Sequence, residues 1–245
     1  MRNDAPRIEA VVFDLFYTLV HPGRYPGATG RVGWLANMLG IDFAVLKARW
    51  VAFEPVLESG RAPQRTDGLG PELGWVRETA AELGVAITSA ALTRIEVDWD
   101  VTQREALLNP PATAVATLVS LRQRGLRLGL LSNTHALESR AWGESPLASL
   151  FDVVALSHEI GSGKPDSAAF AHVLNQLNVS AARAAYVGDG GNDELAGARA
   201  AGFGLVILAE EAAATFAPDD LPKLRASADA RVTSLADVVN LVNLT

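Results

Sequence analysis

Cysteine is missing from all 245 residues of this chain, which removes disulfides, thiolate metal centres and a cysteine nucleophile in one step. Positive charge is also scarce: 21 Lys and Arg face 28 Asp and Glu, for a formal net charge of −7. A chain so charged lacks the basic footprint that neutralises nucleic-acid phosphates, so no nucleic-acid partner is expected. Long apolar runs are lacking too. No stretch reaches the roughly 18–20 residues of a membrane span, and "MRNDAPRIEA" is too polar for the apolar part of a signal peptide. The expectation is a cytoplasmic protein without a membrane partner, either a monomer or a homodimer. Lysine occurs three times, at Lys47, Lys164 and Lys223, so the position of each is informative.

What is present is an ordinary globular composition, 49% hydrophobic, in a chain long enough for one large core with a satellite. The stretch "VVFDLFYTLV", residues 11–20, reads as a strand covered on both faces, an apolar run interrupted by Asp14. After the Pro/Gly loop "HPGRYPGATG" come four apolar-periodic segments, 30–39, 44–57, 71–83 and 89–108, which predict a small helical bundle. "NPP" at 109–111 closes that region, because the residue before a proline is pushed out of helical geometry. The period then alternates: helix 113–124, strands 126–131 and 151–156, helix 166–177, strand 184–187, helix 193–201 and strand 203–208. Strands spaced by helices imply right-handed crossovers and a parallel sheet covered on both faces. The expected fold class is α/β, a Rossmann-like parallel-sheet core from residues 1–22 and 108–245 with an inserted all-helical cap, 23–107.

In open α/β sheets, ligands collect beyond the carboxyl ends of the strands. Polar residues stand at four of those ends: Asp14 after "VVF", Ser132 and Asn133 after "LGLL", Lys164 in "GSGKPD", and Asp189 with Asp193 in "VGDGGND". Singly, each has an ordinary explanation as a turn former or helix cap. Converged, they offer a nucleophilic carboxylate, hydroxyl and amide donors, an ammonium and two further acids. That set suits a phosphate group and a hard cation such as Mg2+, since clustered carboxylates need a cation to coexist. "GSGKP" lacks the pattern of a phosphate-binding P-loop, and "GDGGND" lacks the third glycine of a dinucleotide fingerprint.

"FDLFYTL", "LLSNT", "GKPD" and "VGDGGNDELAGARAAG" resemble, in this order, the four motifs of the haloacid dehalogenase superfamily, and the helical stretch after the first resembles its helical cap. The resemblance spans residues 11–202 and implies the following roles. Asp14 would be the nucleophile that forms a covalent aspartyl intermediate, Ser132 and Asn133 would bind the transferring group, and Lys164 would neutralise charge beside the nucleophile. Asp14, Asp189, Asp193 and the main-chain carbonyl of Phe16 would hold Mg2+. The side chain of Phe16 departs from the pattern, because phosphatases of the superfamily carry a general acid/base Asp there, worth roughly 100- to 10,000-fold in rate. An aromatic residue at this position resembles the metal-free 2-haloacid dehalogenases, whose halide leaves without a proton. Those enzymes, however, replace the acids of the last motif with a Ser- and Asn-containing segment, and this chain keeps both.

Three readings follow: a Mg2+-dependent hydrolase of small phosphate monoesters, a metal-independent dehalogenase-like hydrolase, and a catalytically silent member of the family. The retained acids favour the first. His21 and His135 are candidates for the missing proton donor. Lys47 could form a Schiff base in the cap, but a single lysine more often sits on an exposed helix face. Tyr17 and Arg24 could meet substrate, whereas Trp34, Trp50, Trp75 and Trp99 at helical spacing read as cap core.

Overall fold

A computed structural model describes residues 7–24, 27–62 and 67–242. Six strands form one parallel sheet in the order β3-β2-β1-β4-β5-β6, with β1 Ala10–Phe13, β2 Arg127–Ser132, β3 Val153–Leu156, β4 Ala184–Gly188, β5 Leu205–Ala209 and β6 Ala230–Val232. Helices α1 Gly27–Leu39, α2 Phe43–Glu58, α3 Pro71–Glu82 and α4 Ser89–Leu108 lie between β1 and the first sheet helix, α5 Ala112–Gln123. The others are α6 Ala136–Ser139, α7 Ser157–Ile160, α8 Ser167–Leu177, α9 Glu194–Ala200, α10 Glu210–Phe216, α11 Leu221–Ser227 and α12 Val238–Leu241. Among the described residues no helix is long and apolar enough to cross a membrane.

β1 and β4 sit at the centre because their residues are apolar on both faces, and every one of them is buried. Leu118 and Leu121 of α5 with Val238 of α12 cover one face; Phe170 and Val173 of α8 with Leu195 of α9 cover the other. From β1 the chain proceeds to β2 and β3 on one side, then crosses to β4 and continues outward through β5 and β6. The direction of winding therefore reverses between β1 and β4, where a doubly wound sheet leaves a crevice at its carboxyl edge. Phe13 pairs with Val187, so the residues that follow them emerge side by side into that crevice.

The helices α1–α4 close a core of their own. Trp50 packs edge-on to Trp75 at 5.2 Å and tilted against Trp99 at 5.6 Å between ring centroids, with Leu46, Ile95 and Val76 around them. Truncation of a tryptophan in such a place costs about 3–5 kcal/mol. Two of these helices carry side-chain caps: Asp42 accepts from the Val45 N–H of α2 and Thr88 from the Ala91 N–H of α4. Leu137 of α6 inserts into the same apolar cluster and joins the helical layer to the sheet layer. A second junction lies just past α2, where a Cβ on Gly60 would stand 2.2 Å from the carbonyl oxygen of His158 on α7.

The run 11–20 is not one strand. It ends at Phe13; Leu19 and Val20 donate back to the carbonyl of Leu15, and Tyr17 takes a left-handed φ of 64°. The other helices and strands expected from the sequence lie within three residues of their observed bounds. β6 and α10–α12 were not anticipated, because three- to seven-residue elements are too short to display a period.

Candidate active site

Asp14 is the first residue past β1, and its N–H donates to Val187 O of β4 at 2.9 Å. Lys164 reaches it from the loop before α8: Nζ lies 2.5 Å from Asp14 Oδ1 and 2.5 Å from Glu194 Oε2. That loop is fixed by Asn133, whose Oδ1 accepts from the Lys164 N–H at 2.7 Å while its Nδ2 donates to the Lys164 carbonyl at 2.8 Å. Glu194 also accepts from the Tyr186 hydroxyl at 2.7 Å and from the Gly190 N–H at 2.9 Å. Asp189, past the end of β4, accepts the Gly191 N–H at 3.1 Å.

The carboxylates of Asp14, Asp189 and Glu194 offer ligand atoms within 4.8 Å of one another. Burial, reinforced by Glu194 and opposed by Lys164, pushes Asp14 up to about 6. Burial, Glu194 and Asp14 together push Asp189 well above the usual carboxylate range. For Lys164 burial works against the charge, yet Asp14 and Glu194 hold its ammonium above the ordinary range. One ammonium against two buried carboxylates and a half-buried third leaves surplus negative charge, and an all-oxygen donor set fits a hard divalent cation. The residues present therefore fit Mg2+.

These groups form the floor of a cavity of about 260 Å3, with Phe16 and Tyr17 at its edge. Arg31 of α1, Glu54 and Glu58 of α2 and Gln103 of α4 make the opposite wall, and Glu138 of α6 completes it. Arg31 is ion-paired with Glu138 and stands over the rings of Trp50 and Trp99 at 5.8 and 5.5 Å.

The structure thus brings Asp14, Asn133, Lys164 and Asp189 together and sets Phe16 beside them. Ser132 ends β2 with its hydroxyl buried and without a hydrogen-bond partner, though it does not line the cavity. Asp193 is the correction. It is exposed and paired with Lys223 at 2.8 Å, because Asn192 and Asp193 both take left-handed φ values, 52° and 50°, and turn its carboxylate outward. Glu194, the next residue, faces inward in its place and was missed from the sequence. Gly188 is the signal for it: a Cβ there would lie 2.0 Å from Glu194 Oε1, so only glycine leaves room for this carboxylate.

The two histidines lie elsewhere. His21 lines a neighbouring cavity with Thr18 and Glu211, and His135 is buried with Nδ1 2.7 Å from Glu72 Oε1. Lys47 stands 5.7 Å above the Phe43 ring, and Arg24 pairs with Asp98. Trp50, Trp75 and Trp99 are buried in the helical core and Trp34 packs against it.

Residues 8–202 match the sequence profile of the haloacid dehalogenase-like hydrolases. The ribulose-1,5-bisphosphate 5-phosphatase of Halopiger xanaduensis is 29% identical over 245 residues, covering 96% of this chain and 99% of that enzyme. The glyceraldehyde 3-phosphate phosphatase of Methanothermobacter thermautotrophicus is 30% identical over 109 residues, 43% of this chain and 47% of that enzyme, so the match spans less than half of the relative. In structure, a 2-haloacid dehalogenase from Pseudomonas syringae superposes with a TM-score of 0.63 at 23% identity, covering 97% of this chain and 99% of that one, a likeness of fold. With that profile extending over β1 to β4 and the helical insertion, the chain belongs to the haloacid dehalogenase-like hydrolases.

Proposed function

We propose that the chain is a Mg2+-dependent hydrolase of small phosphate monoesters that works through a covalent aspartyl-phosphate on Asp14. The observation that carries this reading is the gathering of Asp14, Asp189 and Glu194 within 4.8 Å, with Lys164 as the ammonium among them. The phosphatase names of two relatives support it. Residues 1–22 and 108–245 carry the chemistry in this reading, and 23–107 select the substrate.

A carboxylate oxygen of Asp14 attacks phosphorus; the new O–P bond forms as the ester P–O bond breaks, and the leaving alkoxide takes its proton from water. Water then attacks the phosphorus of the aspartyl-phosphate, which releases inorganic phosphate and restores the carboxylate. Lys164 keeps Asp14 ionised and faces the charge of the phosphoryl group. In this reading the uncommitted hydroxyl of Ser132, which lies outside the cavity lining, turns to a phosphate oxygen when substrate enters, while Asn133 spends its amide on positioning the Lys164 loop. Asp14, Asp189 and Glu194 would hold the cation, with the main-chain carbonyl of Phe16 as a fourth oxygen. When bound, the cation neutralises the surplus carboxylate charge and draws electron density from the phosphoryl oxygens. The Phe16 side chain has no proton to give, so esters of acidic alcohols turn over fastest.

The test is phosphate release from a broad panel of monoesters in the presence of Mg2+. Turnover that is lost in EDTA is expected; no release from any ester by folded protein overturns the reading. Phe16 itself favours a second reading, a metal-free dehalogenase. Halide release from 2-chloropropionate that persists in EDTA would select it.

A further inference from the structure

The wall of the cavity opposite Asp14 carries its own surplus of negative charge. Glu54 and Glu58 stand one turn apart on α2 and both line it. Burial, and then the neighbouring Glu54, pushes Glu58 up to about 7, even though Lys164, Arg31 and the Asn133 amide pull the other way. None of those three donors is free to answer the pair in full. Arg31 is engaged by Glu138, Lys164 by Asp14 and Glu194, and Asn133 reaches Glu58 at 3.3 Å while holding the Lys164 carbonyl at 2.8 Å. Gln103 adds an independent observation. It lines the same wall, is 5% exposed, and its Oε1 is buried without a hydrogen-bond partner. A buried acceptor left unmatched is a standing cost that a ligand donor would remove.

We propose that this wall is a subsite for a primary ammonium group on the alcohol part of the substrate, bound by Glu54, Glu58 and the carbonyl of Gln103. The inference rests on the phosphatase reading and narrows it to phosphate monoesters of amino alcohols. An ammonium brings three N–H donors and one positive charge to three acceptors. A hydroxyl brings one donor and no charge. A second phosphate or a carboxylate would meet Glu54, Glu58 and Glu138, with Arg31 as the sole guanidinium on that wall among the described residues.

Two measurements test this on wild type and on the double variant Glu54→Gln/Glu58→Gln, with melting curves to establish that the variant is folded. The first is phosphate release, with Mg2+, from 2-aminoethyl, n-propyl and 2-carboxyethyl phosphate. The second is calorimetric binding of 2-aminoethylphosphonate and n-propylphosphonate. The wild type should favour the ammonium ester over the neutral one in kcat/KM by about ten- to hundred-fold, with the carboxylate ester slowest, and the variant should bring that ratio toward one. Similar rates on all three esters, or an unchanged ratio in the folded variant, overturn the subsite and leave the phosphatase reading intact. Tighter binding of the aminoethylphosphonate without hydrolysis of any ester overturns the phosphatase reading and leaves the subsite standing. Equal binding without hydrolysis overturns both.

Discussion

Two buried polar clusters lie on either side of Asn133 and Thr134, and acids in them respond to burial in opposite ways. On the floor of the cavity, Asp14 is pushed up to about 6. At the junction with the helical layer, burial is likewise the largest influence on Glu72, yet His135 and the main-chain N–H groups that bond it, the Leu137 N–H among them, together overcome it and hold the acid down at about 2. The difference lies in what each carboxylate faces. Glu72 accepts from His135 Nδ1 at 2.7 Å and from the Leu137 N–H at 3.1 Å, and Glu138 takes Arg31 and the Thr134 hydroxyl. Asp14, Asp189 and Glu194 face one another. Acids that are each matched by donors of their own act as structural elements, whereas acids crowded around one shared ammonium keep surplus charge that a ligand can take up.

The contrast is most severely tested by Asp14→Asn. If the floor is catalytic, phosphate release should fall by about ten-thousand-fold or more while the melting curve stays cooperative. A further carboxylate on the floor, Phe16→Asp, should raise turnover of alkyl phosphates by about 100- to 10,000-fold, read as kcat on a poor leaving group. At the junction the sign reverses. Glu72→Ala should cost about 3–5 kcal/mol by urea unfolding at neutral pH, since it strips His135 and Leu137 of their acceptor. Because Glu72 lies below its ordinary value of 4.5, its contribution is complete above that pH and fades as the pH falls through about 2, so the unfolding curves of wild type and variant should converge there. Mg2+ at a hundred times its Kd should stabilise the wild type by about 2.7 kcal/mol, and the shift should vanish in Glu194→Gln. Last, Asp189→Asn in EDTA should raise the melting temperature by about 2–4 °C, the reverse of what losing an acid does at the junction.

The strands carrying Asp14, Ser132 and Asp189 were legible because central parallel strands are apolar on both faces and their polar residues gather at the carboxyl ends. The helical insertion was legible from its period of 3.6 and from Asn109-Pro110. The choice between Asp193 and Glu194 was not. Two successive left-handed residues rotate the start of α9 by one side chain, and nothing in a helical period registers such a step. The Asn-Asp pair was the available clue, since these two residue types tolerate left-handed backbone. The far wall was equally hidden. Glu54, Glu58 and Gln103 sit on α2 and α4, and on a helical wheel an acid turned to a cavity looks like one turned to water.

The contact at Gly60 sets the gauge of the whole cavity. Only a residue without a side chain lets the end of α2 rest on the main chain of His158. One methyl group there would act as a shim between the layers, lifting the helix that bears Glu54 and Glu58 away from Asp14. The spacing between Asp14 and the wall that carries Glu54 and Glu58 is therefore governed by a missing carbon two residues past Glu58.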